Sequence, residues 1–361
     1  MAERVHEIFG IDRRKAILTG VAALVLAVAA VTGIGQVANL HHAVRALDRA
    51  NQWWFPVCLG GVLLAYAGYI AAYRDIARVD GGPCLPPWAV LRIVVIGFGA
   101  VAVGSSAGTL GIDYWALHRT GEPRHSAVRR VLALNTLQWF VLAIVAFLAA
   151  AVSAAGPWSA PRAMEVAWLV IVPACVAAAI WVSSPRQGER LSSLPRDAVR
   201  LQRNLRTWPH WLWHAGRAVF SDAVGGVVLV RHLLHRPLAH PGALLGFPLY
   251  WTGDILTLYA AVRAFDVHPH FVPLVLAYAT AFVVTALPLP AAGSGGVEAG
   301  LTFALNAVGI PLAPALLATL VYRFFTLWLP IVPTLALLPQ VRALDRELPL
   351  TPRDLRSREV G

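Results

Sequence analysis

Several runs of this 361-residue chain approach the roughly 20 consecutive apolar residues that an α-helix needs to cross a bilayer. That length decides the class before any motif is read. With 58% hydrophobic residues and a mean hydropathy of +0.63, the chain reads as an all-α polytopic membrane protein of six to eight transmembrane helices. The first run covers about Ala16–Ile34. Arg4, Arg13, Arg14 and Lys15 before it mimic a signal peptide. No small-residue cleavage site precedes a soluble domain, so this run counts as the first span. Further runs lie at about Trp53–Tyr73, Trp88–Gly111, Val128–Ala154, Ala163–Val182, Gly242–Val262, Phe271–Pro290 and Ala313–Leu338, with a short helix expected over Val297–Gly309. Ala218–Leu234 is interrupted by Asp222, Arg231 and His232 and belongs at the interface. Residues 1–340 make one membrane domain, with halves 16–182 and 218–340 joined by the basic segment 183–217; residues 341–361 are a basic tail.

Charge then places the loops. The net charge is +11, nearly all from arginine, which in a membrane protein marks cytoplasmic loops and anionic headgroups. Arg119, Arg124, Arg129 and Arg130 put their loop in the cytoplasm, as do seven arginines from Arg186 to Arg217 and the residues of both termini. No lysine or arginine lies between Arg263 and Arg323, so that stretch faces outside. These preferences conflict if every apolar run crosses. They agree if Trp88–Gly111 dips in from the cytoplasm and Phe271–Glu298 dips in from outside, leaving six spans and two re-entrant hairpins. Eight spans without hairpins is the plainer alternative. Either way the chain belongs in the cytoplasmic membrane with both termini inside.

One stretch breaks the apolar pattern: Pro288-Leu-Pro-Ala-Ala-Gly-Ser-Gly-Gly-Val-Glu298. Proline and glycine interrupt a helix. Irregular backbone at membrane depth survives only where protein or a watery cavity satisfies it. Together with an ionisable Glu298 it points to a functional site. The alternative is a loop just outside the membrane with an acid in the first helical turn, which suits the helix dipole. Laying residue 107 on residue 292 matches Ala107-Gly-Thr-Leu-Gly-Ile-Asp113 with Ala292-Gly-Ser-Gly-Gly-Val-Glu298. Without a gap, Gly61 then meets Gly246, Gly68 meets Gly253, and Gln138 meets Arg323. Related motifs entering from opposite faces make an inverted-topology repeat.

Two such hairpins aim helix N-termini and backbone N–H groups of Gly293, Ser294, Gly295 and Gly296 into a shared cavity, an arrangement suited to a lipid phosphate. Arg323 sits too deep in its span to snorkel and needs a partner, for which Glu298 is the natural choice. The pair either holds an empty site until a headgroup exchanges with it, or is a fixed structural ion pair. Asp254 faces the cavity as a proton or cationic-headgroup ligand, or else bonds to neighbouring hydroxyls. Asp113 and Gln138 are the counterparts of Glu298 and Arg323, and Gln138 carries no charge. Asp113 serves the cavity or is a solvated residue at a cytoplasmic boundary. Arg196, Arg200 and Arg203 fall near one face of a helix, as in a segment that binds anionic lipid, or belong to an ordinary positive-inside loop.

These motifs, with Leu320-Val-Tyr-Arg323 some 25 residues after Glu298 and Ser105-Ser-Ala-Gly-Thr-Leu-Gly-Ile-Asp-Tyr114 in the first half, resemble the signature of the lysylphosphatidylglycerol synthase membrane region. Similarity in layout covers about residues 13–340. The resemblance implies a flippase that moves an anionic phospholipid, an aminoacylated phospholipid or a polyprenyl-phosphate lipid between leaflets. It also implies a stand-alone member without the soluble aminoacyltransferase. One departure is Pro290-Ala-Ala-Gly293, where the family usually has Pro-Gly-Gly.

The chemistry-bearing residues weigh against an enzyme. Cys58, Cys84 and Cys175 are not spaced as metal ligands, and no metal or cofactor is expected. Gly293-Ser294-Gly295 superficially resembles a rhomboid protease serine motif, but no histidine follows His270 to activate the serine. A nucleic-acid partner is excluded by basic charge dispersed among spans. Expected partners are membrane lipids with anionic headgroups, a lipid or glycan synthase, and a second copy of the chain. A non-catalytic synthase partner and a membrane-embedded lipid-modifying enzyme are the competing functions.

Overall fold

Asn51 starts the first described helix by accepting a hydrogen bond from the Trp53 amide at 3.2 Å. Pro56 follows in the first helical turn, where its missing N–H costs nothing. The structure, a computed structural model, describes residues 50–104, 106–157, 160–182, 225–235, 238–283, 296–337 and 340, without the side chains of 100–107. Among them there is no strand. In chain order the helices are α1 (Phe55–Arg78), α2 (Pro87–Gly104), α3 (Ser106–Arg119), α4 (Arg124–Ala155), α5 (Arg162–Val182), α6 (residues 225–235), α7 (Pro241–Arg263), α8 (Phe271–Phe282), α9 (Gly296–Ala307), α10 (Leu312–Arg323) and α11 (Leu329–Leu337).

Four described segments are long and apolar enough to cross a membrane: Gln52–Gly81, Arg124–Ala155, Arg162–Trp181 and Leu312–Leu337. Shorter apolar helical stretches are Pro87–Gly99 in α2 and Phe271–Phe282, which is α8. α5 leaves Val166, Val170, Ile171 and Ile180 more than half exposed along its length, a surface that fits hydrocarbon. The Trp88–Gly111 run is not one element, because it divides into α2 and α3, which fold back on each other. Thr109 Oγ1 donates to the Gly97 carbonyl at 3.1 Å across that fold. The last span carries a π-helical segment, Phe324–Trp328, between α10 and α11. Pro330 follows it and has no N–H to offer the Thr326 carbonyl, which disrupts the regular ladder. Ala16–Ile34, 183–217 and the tail lie outside the described residues, as do 218–224 before α6.

The central contact is α1 against α7. A methyl group placed on Gly61 would lie under 3.0 Å from the Gly253 carbonyl oxygen, and one on Gly253 equally close to that of Gly61. Gly68 and Gly246 bear the same mutual relation. Numbers rise along α1 as they fall along α7, so the pair is antiparallel, with backbones in contact as small residues allow between membrane helices. The ends are tied as well. Asn51 N donates to Ala264 O at 2.8 Å, and Asp75 Oδ2 accepts from Ala243 N at 2.9 Å at the opening of α7. Arg130 of α4 closes that same C-terminal end of α1 by donating Nη1 to the Ile76, Ala77 and Val79 carbonyls, which a left-handed turn at Asp80 and Gly81 leaves within reach.

Around this pair the halves interlock. α4 packs on α8, and Trp139 meets Phe282 at 5.7 Å between ring centres. α11 packs on α2, and Thr334 Oγ1 donates to Val95 O at 2.7 Å.

Gly253→Ala and Gly61→Ala force the two backbones apart and are each expected to destabilise the protein by about 1–3 kcal/mol, as overpacking does. Gly60→Ala, which meets nothing within 4 Å, is the matched control. Thermal unfolding in detergent should separate the first two clearly from the third.

Candidate functional site

Arg323 is the last residue of α10, and the π segment begins beside it. Its Nε donates to Glu298 Oε1 at 2.8 Å. Both residues are buried, at 8% and 3% exposure. Glu298 lies in the first turn of α9, where the positive end of the helix adds to its stabilisation. The guanidinium is only partly used: among the described residues Nη2 has no hydrogen-bond partner.

Asp254 stands on the α7 side. Tyr278 of α8 and Tyr322 of α10 both donate to its Oδ2, the latter at 2.9 Å. Asp254 therefore accepts from two phenols, the hydroxyl-bonded alternative, while it also faces a cavity. That cavity has a volume of about 150 Å³ and is lined by Asp254, Arg323, Tyr66, Gln138 and Trp139 among others. Such a volume admits a headgroup and not a whole lipid, being below the roughly 300–1,000 Å³ of drug-sized sites. The Tyr66 hydroxyl is a second buried group without a described partner. Two unmet donors, Arg323 Nη2 and Tyr66 Oη, thus line the same space as one carboxylate.

Asp113 is fully buried, which rules out the solvated boundary position. Tyr69 Oη donates to its Oδ2 at 2.7 Å, and Tyr73 Oη donates to its backbone carbonyl at 3.1 Å. Tyr69 lines the cavity, and Asp113 lies behind it. Gln138 lines the cavity without charge, while its backbone carbonyl accepts from Trp251 Nε1 at 2.8 Å. Gly296 opens α9. Gly293, Ser294 and Gly295 lie outside the described residues, as do Arg196, Arg200 and Arg203.

A larger cavity of about 640 Å³ lies at the arginine-rich end, lined by Asp80, Glu122, His125, Arg129, Arg130 and His232 among others. There Arg130 is engaged by three carbonyls and by Glu122 at 3.6 Å, and two acids face two arginines. The smaller cavity, with unmet groups deep among the helices, is the better site.

Sequence reasoning passed over the tyrosines. Tyr66, Tyr69 and Tyr73 recur at helical spacing on α1, and Tyr250 lies one turn before Asp254. A buried phenol generally finds a partner, so this stripe within an apolar run was the available signal.

Removing one member of the Glu298–Arg323 pair strands a buried charge, at a typical cost of about 3–5 kcal/mol. Arg323→Met and Glu298→Gln should each lower the unfolding temperature in detergent. The double variant Glu298→Gln/Arg323→Met should lose less than the sum of the two. Additive losses would show that the pair is not coupled.

No curated protein and no solved structure matches the chain. A family model does: the lysylphosphatidylglycerol synthase TM region, over residues 17–333. That match takes in both glycine motifs, the cavity and every helix that builds it, and it gives the protein a membrane-lipid-related role. This chain belongs to the family of the lysylphosphatidylglycerol synthase TM region.

Proposed function

We propose that the protein is a lipid translocator that moves a phosphate-bearing lipid between leaflets, with no chemistry performed on it. The observation that carries this reading is the unmet edge of Arg323 opposite Asp254 in a cavity among membrane helices. A guanidinium edge suits a phosphate. A carboxylate across the same space suits the ammonium of an aminoacylated headgroup. An anionic phospholipid, an aminoacylated phospholipid and a polyprenyl phosphate all supply the first contact, and only the second of these supplies both.

An inverted repeat supports the reading. The shift that lays residue 107 on residue 292 carries α1 onto 240–263, beside the observed Pro241–Arg263, and carries α4 onto 309–340, around the observed Leu312–Leu337. The glycine contacts obey the same operation. Gly61 and Gly68 correspond to Gly246 and Gly253, yet Gly61 touches Gly253 and Gly68 touches Gly246. A two-fold axis produces that crossed pattern: i meets the mate of j, and j meets the mate of i. In the proposed topology α2–α3 and α8–α9 are hairpins entering from opposite faces of the cytoplasmic membrane, with both termini inside, so that rocking of the halves exposes the site alternately.

Leaflet exchange of labelled lipids in proteoliposomes tests the proposal, with anionic phospholipid, aminoacylated phospholipid and polyprenyl phosphate in separate arms. Arg323→Ala should slow exchange by about tenfold or more, the loss of one charge-assisted hydrogen bond. Tyr66→Phe should slow it less. Asp254→Asn should abolish any preference for the aminoacylated lipid. Wild-type protein that exchanges none of the three would sink the proposal.

A further inference from the structure

The buried charges around the cavity do not balance. Asp113, Asp254 and Glu298 are buried with a single base, Arg323. The other buried ionisable groups among the described residues are accounted for: Glu122 pairs with Arg130, and Glu165 accepts from Ser153 at 2.6 Å. Arg323 compensates Glu298 directly and lies near Asp254, which also holds two phenol donors. Asp113 has one phenol on Oδ2, and among the described residues Oδ1 has no partner. At the position related to Arg323 by the repeat stands the neutral Gln138. A charged carboxylate left in that state is costly enough that such groups neutralise or acquire a counter-charge.

The groups around Asp113 show which. From α1 come Tyr69 and Tyr73. On α2 the charged group is Arg92, which lies over the Trp88 ring. On α3 itself Arg119 lies over Trp115, and His118 stacks on Tyr114 with its Nδ1 3.0 Å from the Glu122 carbonyl. On α4, Arg124 donates to the Tyr114 hydroxyl, Arg130 is held by the α1 carbonyls, and His125 and Arg129 line the larger cavity. None of these brings a cation to Asp113. A hard metal cation takes six or more oxygens, and the hydrogen bonds here bring only two phenol oxygens besides those of Asp113. A proton needs one lone pair, and Oδ1 has it.

We infer that Asp113 is a proton-carrying site that exchanges protons with the headgroup cavity through Tyr69, coupling lipid movement to a proton gradient. Coupling rests on the translocator reading; the proton site does not. Tyr69 is built for the relay, because it lines the cavity and its hydroxyl donates to Oδ2. A hydronium ion in the cavity protonates Tyr69 Oη as the phenol's own proton passes to Asp113, leaving water and a neutral acid. Release runs the same path backward. One half of the repeat thus holds the headgroup by a fixed cation, and the other holds a removable one.

Two measurements on the purified full chain decide this. Infrared difference spectra in nanodiscs at neutral pH should show a protonated carboxylic acid band that is missing from Asp113→Asn. The band should be shifted in Tyr69→Phe, which keeps the acid and removes its hydrogen bond. No band assignable to Asp113 overturns the site. In proteoliposomes with labelled acidic phospholipid, an imposed difference of one pH unit should bias the leaflet distribution by up to about tenfold, the limit for one coupled proton. That bias should vanish in Asp113→Asn while exchange down a lipid gradient persists. A bias unchanged in Asp113→Asn, or absent from a wild type that exchanges lipid, overturns the coupling and leaves translocation standing. A wild type that exchanges no lipid overturns translocation and coupling together, and the infrared band alone then judges the proton site.

Discussion

The backbone contact between α1 and α7 is the constraint on which the remaining structure depends. Hydrocarbon supplies no hydrophobic drive for helices to associate, so close packing has to do it. Four glycines remove the side chains that would otherwise hold the two backbones apart. Once that crossing is set, the flanks of the two helices are set too. Tyr66 and Tyr69 leave α1, and Tyr250 and Asp254 leave α7, toward one common space. A cavity with polar groups from both halves of the chain is a consequence of that geometry. The ties at each end, Asn51 to Ala264 and Asp75 to Ala243, fix the register that lets the flanks meet.

Much of this was legible in the sequence, and what was not has physical reasons. Apolar run length located the helices, since spanning is a length requirement that local composition meets or fails. Gly61, Gly68, Gly246 and Gly253 were visible as repeat mates, but the offset pairs each glycine with its equivalent and not with its contact. Only the folded arrangement crosses the pairs. The partnership of Glu298 and Arg323 follows from depth and charge alone, because few other buried charges were on offer. Asp113 was ambiguous, since a residue near an arginine-rich loop reads equally as solvated. Its burial depends on Tyr69 and Tyr73 reaching it from 40 or more residues away, which no local pattern encodes. The π segment escaped for another reason: Pro330 signals a disrupted ladder without saying where the extra residue goes.

The two halves of the proposed repeat differ in charge, and the difference has a direction. By the repeat offset Glu298 and Asp113 correspond, but Glu298 meets a guanidinium and Asp113 a phenol, with the neutral Gln138 at the position matching Arg323. In the second half Asp254 joins the cluster, while its first-half equivalent is Tyr69, an uncharged hydroxyl that donates to Asp113. In the proposed translocator, symmetry of shape would serve alternating access, which needs two similar gates. Symmetry of charge would build two competing headgroup sites, and a single 150 Å³ cavity has room for one.

In the proposed translocator, magnitude decides how a headgroup would meet Arg323. Displacing Glu298 would strand a buried carboxylate, at about 3–5 kcal/mol. A charge-assisted hydrogen bond to the incoming phosphate returns only about 1.5–3 kcal/mol. Simple exchange of one anion for the other is therefore unfavourable unless the lipid brings a second strong contact. Addition avoids the cost, because Glu298 occupies the Nε edge of the guanidinium and Nη2 remains unmet. The phosphate then shares the cation with Glu298, and Tyr66 Oη stands ready as a second donor. Weak retention follows, since a shared cation binds each anion less tightly than an exclusive one. For a translocator that is an advantage: a site that held the phosphate as firmly as it holds Glu298 would load on one face and fail to unload on the other.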